Sequence, residues 1–309
     1  MALLVHTGPN PATIWADALR AIMPGDDIRL IDQVDDPDDI EAMLVMRLPR
    51  GPINRFTNLR FVGSITAAVD GLLRNPNLPD ELPIVRCGAP GGDPEITEYT
   101  MLHVLRHHRR LPEYAEAQSR SEWIKFDQPL TAERRVGFLG LGLVARPAAE
   151  AARDLGFQVA AWTRTAKNIT GMEIFHGDAA FDDFLARSDI IVNFLPVTER
   201  TRDIINADTL AKLPDGAAVI NIGRGEHVVD QDLIAALDSG KLSAATLDVY
   251  RTEPLPAGDP LWTHPLITIM PHTSRRIRPA NIVPQFAEAM RCLRAGEALP
   301  RLVDRAAGY

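Results

Sequence analysis

The sequence predicts an α/β protein made of two doubly wound parallel-sheet domains. Three observations predict it. Short apolar runs recur along the chain and alternate with helical or polar stretches, the pattern left by buried strands and their crossover helices. Between about residue 99 and residue 278 this strand–helix–strand alternation repeats several times. The chain is also 309 residues long, more than one comfortable core holds, so two domains are expected.

Taken in order, residues 3–6, 28–31, 42–46, 59–62 and 84–86 read as strands, and residues 11–22 as a helix with Pro11 near its first turn. The breaker cluster Gly88-Ala89-Pro90-Gly91-Gly92-Asp93-Pro94 follows. Residues 95–117 read as one long helix, with Met101, Leu102, Leu105 and Leu111 on its apolar face, crossing into the second domain. There, residues 135–139, 158–162, 190–195, 217–222, 244–249 and 266–270 are strands. Residues 282–295 are again helical and are expected to return to the first domain. The expected division is a smaller, discontinuous domain of residues 1–98 and 279–309 and a larger one of residues 99–278, with a cleft and hinge motion between them.

Composition narrows the function classes. The chain is 46% hydrophobic and 24% charged with a formal net charge of -8, ordinary for a soluble domain and without the basic face that nucleic acid requires. Cys87 and Cys292, the only two cysteines, are far apart and define neither a disulfide framework nor a metal-ligand spacing. They read as reduced thiols of a cytoplasmic protein. The N-terminus lacks a basic leader and a long apolar stretch, so neither a signal peptide nor a membrane span is expected.

The run from Val136 to Ala145 follows a strand and opens a helix, and its Gly140, Gly142 and Ala145 fit the dinucleotide fingerprint of the Rossmann fold. Gly140 allows the tight turn, Gly142 lets the backbone approach a pyrophosphate, and Ala145 permits close helix–strand packing. Leu141, Leu143 and Val144 complete the loop, whose helix supplies amide donors to the phosphates. An NAD site usually carries an acid about 20 residues later, for the ribose. Here the second strand ends Thr163-Arg164-Thr165-Ala166-Lys167, with two cations and no acid. Arg164 can stack on adenine and bind a 2′-phosphate, Thr163 or Thr165 can donate a hydroxyl, and Lys167 adds charge, so the coenzyme reads as NADP, with NADPH preferred over NADH. The alternative is solvated surface cations.

Three charged or titratable residues follow the last three strands: Arg224, Glu253 and His272. In an open parallel sheet, ligands bind outside the carboxyl ends of the strands, so the three can meet in one crevice. Arginine offers a planar fork matched to a carboxylate. Histidine holds or releases a proton near neutral pH, and a glutamate beside it favours the protonated form.

With these segments together the chain resembles the D-isomer-specific 2-hydroxyacid dehydrogenases over essentially its full length. The matching segments are Glu98-Tyr99 with its helix, GLGLVA, NFLPVTERT, LPDGAAVINIGRG, LDVYRTEPLP and PH. AWTRT, DLIAALDSGKL, PLWTHPLITIMPH and LVDRAAGY are most similar to the short glyoxylate/hydroxypyruvate reductase A type. The resemblance implies a Rossmann cofactor domain, a smaller flavodoxin-like substrate domain and a homodimer. It also implies roles. Arg224 binds the 2-oxo acid's carboxylate and carbonyl, His272 is the general acid, and Glu253 orients and charges it. Asp248 holds the nicotinamide amide, Leu195, Pro196 and Thr198 line the adenosine side, and Ile222 and Gly223 line the nicotinamide.

Two departures from the family pattern bear on substrate. Where relatives carry a glycine-rich loop for the substrate carboxylate, this chain has Ser64-Ile65-Thr66-Ala67-Ala68-Val69-Asp70. If Thr66 and Ala68 must adopt positive φ, each is strained by about 1 kcal/mol. Thr273-Ser274-Arg275-Arg276 follows the histidine where small neutral residues are commoner. Met46 is expected as an apolar pocket wall, Ala67, Ala68 and Val69 as the carboxylate loop, and Arg47 or Arg275 as a second anion contact. The function expected is reduction of small 2-oxo acids with NADPH. An NAD-linked dehydrogenase and a non-catalytic dinucleotide sensor are the rival readings.

Overall fold

The computed structural model describes residues 1–8, 11–66, 68–88 and 94–306. In chain order the elements are β1 (Ala2–His6), α1 (Thr13–Ile22), β2 (Asp27–Leu30), β3 (Ile40–Val45), β4 (Phe61–Ser64), α2 (Asp70–Leu73) and β5 (Ile84–Arg86). Then come α3 (Pro94–His108), α4 (Leu111–Ser119), β6 (Arg135–Leu139), α5 (Ala145–Asp154), β7 (Gln158–Thr163), β8 (Glu173–His176) and α6 (Phe181–Ala186). Last are β9 (Ile190–Asn193), α7 (Ala207–Lys212), β10 (Ala217–Asn221), α8 (Asp230–Asp238), β11 (Leu242–Leu247), β12 (Ile267–Ile269) and α9 (Pro279–Arg294). Contacts divide the chain into two units, Met1–Pro90 with Ile277–Tyr309, and Gly91–Arg276.

The first unit is a five-stranded parallel sheet in the order β2-β1-β3-β4-β5, the flavodoxin-like order. Alternation along β1 explains its two cores. Leu3 and Val5 face a cluster with Trp15, Leu19 and Phe286, while Ala2 and Leu4 face another with Met43, Phe56 and Leu72. The returning α9 packs on α1. It docks where β4 carries Gly63, whose Cβ would lie 2.5 Å from the Phe286 ring. A glycine inside this strand marks a close approach of another element.

The second unit is a seven-stranded sheet, all parallel, in the order β12-β11-β10-β9-β6-β7-β8. Its central strands β9 and β10 are buried at every residue, as parallel strands covered by helices on both faces must be. Strand order reverses between β6 and β9, the point at which such sheets bind ligands. Among the described residues no helix is long and apolar enough to cross a membrane, and no three metal-ligating side chains form a group.

The expected helix over residues 95–117 is two helices. Arg110 takes a left-handed φ of 57°, and Pro112 sits in the first turn of α4, where proline starts a helix rather than continuing one. The expected apolar face also differs. Met101 is buried but Leu102, Leu105 and Leu111 are exposed. The buried face of α3 is Ile96, Thr100, His103, Val104, His107 and His108. α3 packs on α5 and beside β9 and β10, and it belongs wholly to the second unit.

Candidate active site

The fingerprint loop leaves the carboxyl end of β6. Gly140 has φ +86°, and its amide donates to the Trp162 carbonyl at 3.0 Å. Left-handed backbone there is cheap only for glycine. A Cβ on Gly142 would meet nothing within 4 Å, and α5 begins three residues later. An open, exposed glycine at a helix start is the arrangement a pyrophosphate needs. Leu141 is buried, Leu143 is exposed and Val144 half-buried.

The turn after β7 carries Arg164 and Thr165 on the exposed surface. Lys167 reaches back, its Nζ donating to the Leu141 carbonyl at 2.5 Å. Two of its three hydrogens remain for another acceptor. Thr163 is buried, and its Oγ1 donates to the Thr165 carbonyl at 2.8 Å, which shapes the turn.

Arg224, Glu253 and His272 follow β10, β11 and β12, three adjacent strands. His272 Nδ1 and Glu253 Oε2 are 2.8 Å apart. A carboxylate only accepts, so Nδ1 carries a hydrogen and Nε2 is left as the exchangeable site. The other carboxylate oxygen accepts from the Tyr250 amide at 3.0 Å. His272 holds φ +53°, a sparsely populated conformation for a residue other than glycine, and such residues gather at functional sites. The loops bearing Arg224 and Glu253 touch, because a Cβ on Gly225 would lie 1.9 Å from the Tyr250 carbonyl carbon. Only glycine fits there. Arg224 is extended and half-buried, and its Nη1 donates to the Gly223 carbonyl at 2.7 Å.

Asp248 is fully buried just beyond β11. Its carboxylate accepts from Tyr99 Oη at 2.9 Å, the Thr273 amide at 2.8 Å and the Ser274 amide at 3.2 Å. It therefore anchors the two residues after His272. Tyr250 clamps the same region, since its hydroxyl lies 2.7 Å from the Leu247 carbonyl and 3.0 Å from the Met270 carbonyl. Burial pushes that phenol up to about 12. Arg275 is half-buried and Arg276 exposed, the latter's amide donating to Glu95 at 2.8 Å.

Leu195, Pro196 and Thr198 form the loop after β9. The Leu195 amide donates to Asn193 Oδ1 at 3.1 Å, and Thr201 Oγ1 donates to the Pro196 carbonyl at 2.6 Å. Ile222 and Gly223 are buried at the end of β10. Asn193, Asn221 and His227 hold these loops from beneath. The sequence reading gave none of them a role, although an asparagine closing each of two apolar strands was a visible signal.

The remaining expected residues belong to the first unit, at the carboxyl ends of β3 and β4. Met46 packs against that unit's core and Arg47 is exposed. Val69 is buried, Ala68 half-buried, and Ala67 lies outside the described residues. Thr66 is not at positive φ, so the strain expected there is absent. Its hydroxyl donates to the Ala68 carbonyl at 2.7 Å and shapes the loop by hydrogen bonding.

Residues 101–274 match the family model described as D-isomer specific 2-hydroxyacid dehydrogenase, NAD binding domain. The chain belongs to the D-isomer-specific 2-hydroxyacid dehydrogenases, an oxidoreductase family. A family member from Xanthobacter autotrophicus Py2, solved with NADPH and MES, is similar with a TM-score of 0.94 and 38% identity over 100% of this chain and 99% of that one. The NADPH-dependent glyoxylate/hydroxypyruvate reductase of Sinorhizobium meliloti, solved with NADP and sulfate, is similar at 0.90 and 30% identity over 100% of both. A probable 2-hydroxyacid dehydrogenase of Rhizobium etli CFN 42, solved with NADP, HEPES and L(+)-tartaric acid, is similar at 0.89 and 31% over 100% of this chain and 99% of that one.

Proposed function

We propose that this chain is an NADPH-dependent reductase of small 2-oxo acids such as glyoxylate and hydroxypyruvate. The observation that carries the reading is the 2.8 Å Glu253–His272 pair, at a strand end whose neighbouring loop bears Arg224. Reduced nicotinamide, when bound, supplies the hydride to C2 of the 2-oxo acid. His272 Nε2 gives a proton to the carbonyl oxygen and takes it back in the oxidative direction. Glu253 keeps Nδ1–H in place and balances the charge of the imidazolium. Arg224 pairs with the carboxylate and stabilises negative charge growing on the carbonyl oxygen. Open space at Gly142 and the cations Arg164 and Lys167 suit a dinucleotide with a ribose phosphate. Trp123, 94% exposed, and the exposed Leu102, Leu111 and Leu130 support a homodimer through the second unit. Free, buried Cys87 and Cys292 support a cytoplasmic setting.

The test is a specificity-constant panel of 2-oxo acids with NADPH and NADH. NADPH is expected to be favoured at least about tenfold, as a charge-assisted phosphate contact is worth about 1.5–3 kcal/mol, and Arg164→Ala is expected to erode that preference. Tight NADPH binding without turnover of any 2-oxo acid leaves the sensor reading standing instead.

A further inference from the structure

The loops after β9 and β10 are joined by one imidazole. His227 has no solvent exposure (0%). Its Nδ1 lies 3.1 Å from the Arg224 backbone amide and 2.8 Å from Asn193 Nδ2. Its Nε2 lies 3.2 Å from the Pro196 carbonyl. An amide N–H donates and a carbonyl accepts, so Nδ1 is bare and Nε2 carries the hydrogen. All three contacts select the same neutral tautomer, and burial, the main influence, lowers the imidazole's proton affinity. The surroundings are fitted to the ring. A Cβ on Gly223 would lie 2.8 Å from Asn193 Nδ2 and 3.0 Å from His227 Nδ1. Asn193 Nδ2 also donates to Asn221 Oδ1 at 2.9 Å, and Asn221 Nδ2 donates to the Arg224 carbonyl at 3.0 Å. Both peptide groups of Arg224 are thereby held by buried side chains.

We propose that His227 is a positioning residue with two separable duties: Nδ1 sets the Arg224 backbone for the substrate carboxylate, and Nε2 sets the Leu195–Pro196 loop for the coenzyme. The proposal rests on the function proposed above and adds how its two binding sites are held. Nδ1 meets Arg224 and Asn193, and only Nε2 meets Pro196. Asn193 keeps its own bonds to Asn221 and the Leu195 amide, so loss of one His227 contact need not carry the other with it.

Two conservative variants separate the duties. In His227→Asn the shorter side chain keeps an acceptor near the Nδ1 position and loses the Pro196 contact. In His227→Gln the longer one keeps a donor near the Nε2 position and loses the Arg224 contact. The NADPH dissociation constant, from coenzyme fluorescence, is expected to rise about fivefold or more in His227→Asn and stay within about twofold in His227→Gln, the size of one lost hydrogen bond. The KM for glyoxylate is expected to show the opposite pattern, with a smaller change in kcat. Both constants moving together in both variants, or neither moving, overturns the proposal. A wild-type measurement stands beside these in case a variant does not fold. Long-range ¹H–¹⁵N spectra at pH 7 are expected to give the neutral Nε2–H tautomer for His227, and an Nδ1–H tautomer or a cation overturns the assignment. If the wild type reduces no 2-oxo acid, the proposed function fails, while the NADPH constants and the tautomer still judge His227.

Discussion

The carboxyl-end loop of β12 and the buried face of α3 use the same side chain in opposite ways. On the loop, His272 is half-exposed and has a carboxylate 2.8 Å from Nδ1, so its cation has both solvent and a counter-charge. On α3, His103, His107 and His108 are buried, and none has a hydrogen-bonded carboxylate among the described residues. His107 Nε2 meets Thr246 Oγ1 at 2.9 Å, and neither ring nitrogen of His103 has a partner among the described residues. Burial, with neighbouring cations, pushes His103 down to about 4 and His107 to about 3, and lowers His108 as well. These rings pack as apolar groups do, with His103 and His107 at the i, i+4 spacing of a core-facing helix, and His103 lies against Tyr99 with centroids 4.5 Å apart. The difference teaches that a partner and a wet face, not residue type, equip a histidine to carry a proton, and of these four only His272 has both.

The contrast breaks most sharply at His272. His272→Asn is expected to cost about 10²–10⁴-fold in kcat for glyoxylate, the usual size of general acid catalysis, with NADPH binding within about twofold. Full activity in stopped-flow reduction places the proton donor elsewhere. Glu253→Gln keeps the shape but removes the counter-charge, and a loss of about 10- to 100-fold in kcat is expected from a charged hydrogen bond worth about 1.5–3 kcal/mol. An unchanged kcat means that solvent alone supports the imidazolium.

The α3 side of the comparison is tested by pH. Unfolded histidines protonate near pH 6.5, whereas His103 and His107 stay neutral in the folded chain until near 4 and 3. As pH falls below about 6.5 the unfolded state binds more protons, so this contribution is intact above about pH 7 and lost progressively on acidification. At pH 5 the loss is on the order of 1–2 kcal/mol for each buried ring. A thermal midpoint lower by about 5 °C or more than at pH 7 is expected from calorimetry. His103→Phe is expected to reduce that pH dependence while holding stability at pH 7, since it removes two unpartnered nitrogens and keeps the ring. A steeper dependence in that variant contradicts the assignment. The smallest effect belongs to Tyr99→Phe, which removes one donor from Asp248 behind the His272 loop. A kcat lowered about three- to tenfold is expected, within the net worth of one ordinary hydrogen bond of about 0.5–1.5 kcal/mol because two amides still hold the carboxylate, with the glyoxylate KM nearly steady, and no change in kcat means that the Thr273 and Ser274 amides suffice.

Much of this was readable without coordinates. Apolar runs located the strands of both sheets within a few residues because buried parallel strands carry little else. The edge strand β8, with half-buried and exposed residues, left no such run and was missed. The break at Arg110 escaped because the expected face over Met101, Leu102, Leu105 and Leu111 ran past it, while the residues that pack are Ile96, Thr100, Met101, His103 and Val104. Gly140, Gly142 and the acid-free turn after β7 were legible because each answers a local backbone or charge requirement.

By itself, then, the sequence determined the two-sheet α/β class, the glycine loop after β6 and the strand-end placement of Arg224, Glu253 and His272, since all depend on short-range pattern and residue chemistry. Only the tertiary structure decided which groups support them. Asp248 meets Tyr99 from 149 positions away, His227 bridges two strand-end loops, and Thr163 turns its hydroxyl inward. Long-range hydrogen bonds leave no spacing rule in the chain. They form because buried polar groups must find partners, and the partners available are set by which strands the sheet brings side by side.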